Sequence, residues 1–90
     1  MSRTYIQTTQ TEAMELDKDC IVLDLEQYTA TQLNEVGSFC WRQLVEARSL
    51  TELVESVMNE FEISAGAVEA DIALFLEDLL ARGLIRIAGE

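Results

Sequence analysis

The sequence has no histidine and no proline among its 90 residues, only four glycines and two cysteines, and only six basic residues. Without histidine it lacks the commonest general base and the commonest metal ligand. Cys20 and Cys40 have no histidine to activate them as nucleophiles, and they fall in different predicted elements. In a reducing compartment they read as small buried apolar residues rather than a disulfide. No apolar run approaches the ~18 residues of a membrane span; the longest are short, as in Ile21-Val22-Leu23. The start, Met1-Ser2-Arg3-Thr4, has no apolar h-region behind it, so no signal peptide is expected and the cytoplasm is the expected address. Asp17, Asp19 and Asp24 lack the loop glycine and closing glutamate of a calcium loop. No acid–base pair, metal set or cofactor motif emerges, and no catalytic residue is assigned.

Hydrophobic residues make up 49% of the chain, enough for one modest core without metal or disulfide. Seventeen acidic residues against six basic ones give a net charge of −11. Such a surface is soluble, repels a phosphate backbone and attracts basic partners. Nucleic acid and membrane are therefore not expected as partners.

The hydrophobic period changes along the chain. Residues 1–19 are polar and weakly patterned: Tyr5-Ile6-Gln7-Thr8 could form an edge strand, and residues 9–17 read as loop. Residues 20–25 are β-rich, with Ile21, Leu23 and Leu25 on one face. Glu26-Gln27 begins a turn, and Tyr28, Thr29, Ala30, Thr31 and Gln32 read as a returning strand. From Asn34, a plausible N-cap, the spacing of Val36, Phe39, Cys40, Gln43 and Leu44 predicts a helix ending near Ala47, with Trp41 beside the stripe. Ser49-Leu50-Thr51-Glu52 is a capping box, and Leu50, Leu53, Val54, Val57, Met58 and Phe61 follow it at helical spacing. Ser64 can cap a third helix buried through Val68, Ile72, Phe75, Leu76, Leu79 and Leu80. Arg82 and Gly83 suit its end, and residues 84–87 read as a final strand. The predicted class is α+β and winged-helix-like: a small N-terminal antiparallel β-sheet, three helices and a short terminal strand. The chain divides into an N-terminal segment, 1–19, and a domain, 20–90.

The run Leu33-Asn34-Glu35-Val36-Gly37, then Trp41 and Leu44, resembles PqqD-like domains, the recognition elements for ribosomally made, modified peptides. Asp71-Ile72, Phe75-Leu76, Leu79-Leu80 and Arg82-Gly83-Leu84-Ile85 agree, so the resemblance spans roughly residues 20–88. It implies a stand-alone protein that binds the leader segment of a precursor peptide, as in lasso-peptide pathways. The leader peptidase and the cyclase would be further partners. The chain departs from the pattern at Tyr28, where the family usually has a turn glycine, and at Ala30 and Thr31, where aromatics are common.

The resemblance also implies a groove between the strand at 28–32 and the third helix. There an extended peptide would add to the sheet edge. That strand has no proline, so every residue can donate a backbone N–H, although the sequence does not say which of them face outward. On the helix, Asp71, Leu74, Phe75 and Asp78 share one face, which suits apolar anchors flanked by basic groups. The candidate peptide-binding residues are therefore residues 28–32 with Asp71, Leu74, Phe75 and Asp78. Other readings are a winged-helix transcription regulator and a scaffold subunit of another complex. Glu69, Asp71, Glu77 and Asp78 against a single Arg82 on the third helix speak against DNA.

Overall fold

The change of period at Asn34 divides the architecture, with four strands before it and three helices after it. The computed structural model describes residues 3–90, without the side chain of Ala65; the first two residues of the N-terminal segment lie outside them. In chain order the elements are β1 (Thr4–Gln7), β2 (Thr11–Leu16), β3 (Asp19–Asp24), β4 (Thr29–Leu33), α1 (Glu35–Gln43), β5 (Arg48–Ser49), α2 (Leu50–Phe61), α3 (Ala65–Ala81) and β6 (Ile85–Gly89). The α+β class, the three helices and the terminal strand agree with the sequence reading. The strands form two three-stranded antiparallel sheets, ordered β5-β1-β6 and β2-β3-β4.

Three elements depart from the sequence reading, each because a long-range contact overrides local preference. β2 was expected as loop, since Glu, Ala, Met and Leu carry little strand propensity. It becomes a strand by pairing along β3, from Thr11 opposite Asp24 to Leu16 opposite Asp19. The two-residue connection puts Asp17 at φ 58, a conformation that aspartate tolerates in tight hairpins. β1 is not an edge but the middle strand of its sheet, between β5 and β6. It also stops α1 at Gln43 rather than Ala47: the Gln7 side-chain amide donates to the Trp41 carbonyl at 2.7 Å, and the Gln7 N–H donates to the Leu44 carbonyl at 2.8 Å. With those terminal carbonyls satisfied from outside, the chain leaves the helix and returns through β5 to β1.

The helix starts match their sequence signals. The Asn34 side chain accepts from the Gly37 N–H at 2.8 Å. Ser49 and Glu52 form both bonds of the capping box, at 2.8 and 3.2 Å. Ser64 stands at the N-cap of α3 without a side-chain bond to the helix. Gly83 follows α3 at φ 75, where glycine is unstrained. The core gathers Tyr5, Val22, Leu33, Trp41, Leu44, Leu53, Val57, Ile72, Leu76, Leu79 and Leu84 between the sheets and helices. Trp41 is buried there, and Cys20 and Cys40 are buried free thiols. Burial alone pushes the Cys40 thiol up to about 11, so at neutral pH it is protonated and unreactive.

β3 alternates as expected, and the face shared by Ile21, Leu23 and Leu25 is the outer one. Cys20, Val22 and Asp24 point into the core, while Ile21 and Leu23 are half-buried and Leu25 is exposed. The buried Asp24 is used locally: its Oδ1 accepts the N–H groups of Glu26 and Gln27, at 3.0 and 3.1 Å. Its carbonyl accepts the Tyr28 N–H at 2.8 Å, which closes the turn into β4. Tyr28 lies within that turn at φ 59, and the strand begins one residue later, at Thr29.

Candidate functional site

The sheet β2-β3-β4 leaves β2 and β4 as its two outer strands. The direction of each backbone group follows from one bond outside the regular ladder, Leu25 N–H to the Gln10 carbonyl at 2.8 Å. That bond makes Gln10 and Leu25 a hydrogen-bonded pair. In an antiparallel ladder such pairs alternate, so Leu23 and Ile21 face β2, while Asp24, Val22 and Cys20 face β4. Their partners on β4 are Thr29, Thr31 and Leu33, whose backbone groups are consumed by β3. The N–H and C=O groups of Ala30 and Gln32 are left pointing to the open edge. The same count on β2 leaves Thr11, Ala13 and Glu15 facing outward. These rows of unpaired donors and acceptors are what an incoming strand would use.

The two edges differ in charge. β4 reads Thr-Ala-Thr-Gln-Leu and carries no ionisable side chain, whereas β2 carries Glu12 and Glu15. Arg42 of α1 binds Glu15, an ion pair that holds the Glu15 carboxyl below the usual carboxylate range and lies across that side of β2. Charged side chains guard an edge against pairing, because a docking strand would have to desolvate them.

A cleft of about 320 Å3 opens between α1 and α3, beginning at Asn34, the residue after β4. The groove expected between residues 28–32 and α3 is thus displaced, since none of those five residues lines it. Asn34, Val36 and Gly37 form one wall, Val68, Asp71, Ile72 and Phe75 of α3 the other, and Ile63 contributes from the connection before α3. Gly37 sets the width. A Cβ placed there would lie 3.1 Å from the Phe75 ring and 3.2 Å from Asn34 Oδ1, so glycine lets the ring settle against the first turn of α1. A glycine within a helix costs up to about 1 kcal/mol relative to alanine, and this close approach offsets that loss.

Each candidate residue can now be placed. Thr29, Ala30, Thr31 and Gln32 lie on β4, with Tyr28 in the turn before it, 92% exposed. Asp71 and Phe75 line the cleft. Leu74, 70% exposed, lies on the same helix outside the cleft lining, as does Asp78, which pairs with Arg82 at 3.0 Å. Asp78 therefore already has a cationic partner, whereas Asp71 makes no salt bridge among the described residues. The candidate list missed the wall formed by Asn34, Val36, Gly37 and Ile63. The signal for it was the glycine three residues after the Asn34 cap, a costly choice inside a helix unless something packs close. Among the described residues no three His, Cys, Asp or Glu side chains gather as a metal set, and Asp17, Asp19 and Asp24 do not converge. No helix among them is long and apolar enough to cross a membrane.

No curated protein sequence matches the chain. Two solved structures resemble it closely. "TbiB1 in Complex with the TbiA(beta) Leader Peptide" is 26% identical, with a TM-score of 0.81 over 94% of this chain and 96% of that one. "Lasso peptide synthetase B1 complexed with the leader peptide" is 20% identical, with a TM-score of 0.78 over 91% and 96%, a likeness of fold. The family profile described as Coenzyme PQQ synthesis protein D (PqqD) matches residues 19–85, from the first residue of β3 to the first of β6, and the chain belongs to the PqqD family.

Proposed function

We propose that the chain is a non-catalytic, cytoplasmic adaptor. It binds the leader segment of a ribosomally made precursor peptide by strand addition along β4 and presents it to a leader peptidase and a cyclase. The observation that carries this reading is an open, uncharged strand edge running into an apolar cleft, in a fold whose neighbours are described as leader-peptide complexes. Backbone pairing with Ala30 and Gln32 supplies affinity without sequence choice, and the cleft between α1 and α3 supplies the choice. An apolar leader side chain would enter between Val36, Val68 and Phe75, with Asp71 at the rim for a neighbouring Lys or Arg. Two buried free thiols suit a reducing compartment.

DNA recognition by α3 is disfavoured, because Glu69, Asp71, Glu77 and Asp78 would face phosphates with only Arg82 to answer them. The test is a titration with candidate leader peptides, read by amide exchange. Protection of Ala30 and Gln32 on binding supports the reading. Tight binding with protection elsewhere and none on β4 would reject the site while sparing the adaptor role.

A further inference from the structure

A strand added to β4 presents side chains to both faces of the sheet, because paired residues on neighbouring strands carry their side chains on the same side. Thr29, Thr31 and Leu33 share the inner side with the buried Cys20, Val22 and Asp24, whereas Ala30 and Gln32 share the outer side with Ile21 and Leu23. Leader residues opposite Thr31 and Leu33 therefore point towards the helices. Those opposite Ala30 and Gln32, where the backbone pairing is made, emerge on the outer side, away from the cleft.

The outer side has a recess of its own. Leu23, Leu25, Tyr28 and Ala30 line a shallow hollow of about 290 Å3 beside the Leu23–Ala30 pair. Asp24 and Thr29 also reach it, but the Asp24 side chain is buried on the inner side, where its Oδ1 holds the Glu26 and Gln27 N–H groups. Among the described residues, no exposed charged side chain lines the hollow. Tyr28 forms its corner. Its φ of 59 is a conformation that glycine adopts freely and tyrosine adopts at a cost. With the ring 92% exposed, packing within the chain returns almost none of that cost. An exposed tyrosine beside an apolar recess has the composition of an interface anchor.

We propose that this hollow is a second side-chain subsite for the leader, which takes a large apolar residue, the one paired with Ala30, beside the Tyr28 ring. The inference rests on the strand-addition reading above and deepens it: the leader is read on the outer side of the sheet as well as in the cleft. The register identifies the occupant. A residue paired with Ala30 has its Cβ about 5 Å from that of Ala30, on the same side. Ala30 itself lines the hollow, and its small side chain leaves the space to the incoming strand. Gln32 is exposed and lies outside the hollow, so the leader residue opposite it should tolerate polar replacement.

The test is a set of double-mutant cycles with the full chain and a fluorescein-labelled synthetic leader peptide. Each apolar leader residue is replaced in turn by alanine, and every peptide is titrated against the parent and against Tyr28→Gly. Glycine suits φ 59, so the variant should not lower the melting temperature. It should nevertheless bind the intact leader roughly five- to tenfold more weakly, the scale of a lost aromatic contact. One leader replacement should cost the parent a similar factor and cost Tyr28→Gly little, because the two changes remove one shared contact. A looser turn alone would weaken every peptide alike. Equal penalties in both proteins at every leader position overturn the proposal, as does parental affinity in Tyr28→Gly. A parent that binds no leader peptide removes the strand-addition reading and the subsite with it, whereas a parent that binds without coupling to Tyr28 removes the subsite alone.

Discussion

Two edges of one three-stranded sheet, built from strands of similar length and with similar backbone geometry, differ in what they offer a partner. β2 presents Thr11, Ala13 and Glu15 outward, carries two glutamates, and has Arg42 from α1 tied to one of them. β4 presents Ala30 and Gln32, carries no charge, and leads into a cleft shaped by Gly37 and Phe75. The hydrogen-bonding potential is alike, so it cannot select between the edges. Selection comes from the cost of desolvating charge on one side and from the apolar cavity on the other. An open strand is thus only half of a peptide site, and the neighbouring helix supplies the rest.

Proline substitution breaks this comparison most sharply. Gln32→Pro or Ala30→Pro removes an outward donor without removing a β3–β4 bond, and proline is tolerated at such edge positions. Leader affinity should fall about 10- to 100-fold, the range for an acceptor left unpaired in a buried ladder. Ala13→Pro makes the equivalent change on β2 and should leave leader affinity unchanged. Thr29→Pro and Thr31→Pro instead remove bonds to β3, so their main effect should appear as a lower melting temperature. Equal losses of affinity from Ala13→Pro and Gln32→Pro would mean that the edges are not distinguished.

Gly37→Ala sharpens the cleft half of the comparison. The added methyl gains about 1 kcal/mol of helix propensity but must displace the Phe75 ring and the Asn34 cap, so stability should change little. Leader affinity should fall by about tenfold, of the order seen when a buried interface pocket is disturbed. Melting curves beside titrations separate the two effects. Leu74→Asp is expected to act next. Leu74 is mostly exposed, so the fold should be kept, and binding should weaken by about 1 kcal/mol if the leader covers this side chain. A folded Leu74→Asp protein with parental affinity would place the leader away from the outer turn of α3.

Much of this was legible in the sequence because it is encoded locally. The caps at Asn34 and Ser49, the apolar stripe of α2 and the left-handed Gly83 are each specified by residues within a few positions of one another. What was not legible depended on distant partners. β2 has helix-favouring composition and becomes a strand only through β3. α1 is ended by Gln7, more than thirty residues away. Which face of β3 is buried was not legible, because Asp24, a carboxylate, occupies a core position where its Oδ1 holds the turn backbone. For the site, the strand and the Asp71–Phe75 face were named from the resemblance. The outward pair Ala30 and Gln32 needed the register, and the opposite wall needed the approach of Phe75 to Gly37.

The smallest expected effect is electrostatic, and it separates the two aspartates named on α3. Asp78 is already paired with Arg82, four residues on, and both side chains are about half exposed. Asp71 lies at the cleft rim with no salt bridge among the described residues. A Lys or Arg in the bound leader should therefore be felt by Asp71 and little by Asp78. Exposed pairs contribute about 0.2–1 kcal/mol, so Asp71→Asn should weaken binding of a basic leader by less than about fivefold. Raising the salt from about 0.05 to about 0.5 M should weaken the parent to a similar degree, because screening at the higher salt acts within a few ångströms. Asp71→Asn should flatten that salt dependence, and Asp78→Asn should leave it nearly intact. An identical salt slope in the parent and Asp71→Asn would remove the electrostatic contact from the site, leaving β4 and the apolar cleft to account for binding. A steep slope that survives both variants would place the charged contact on acidic residues other than the two named on α3.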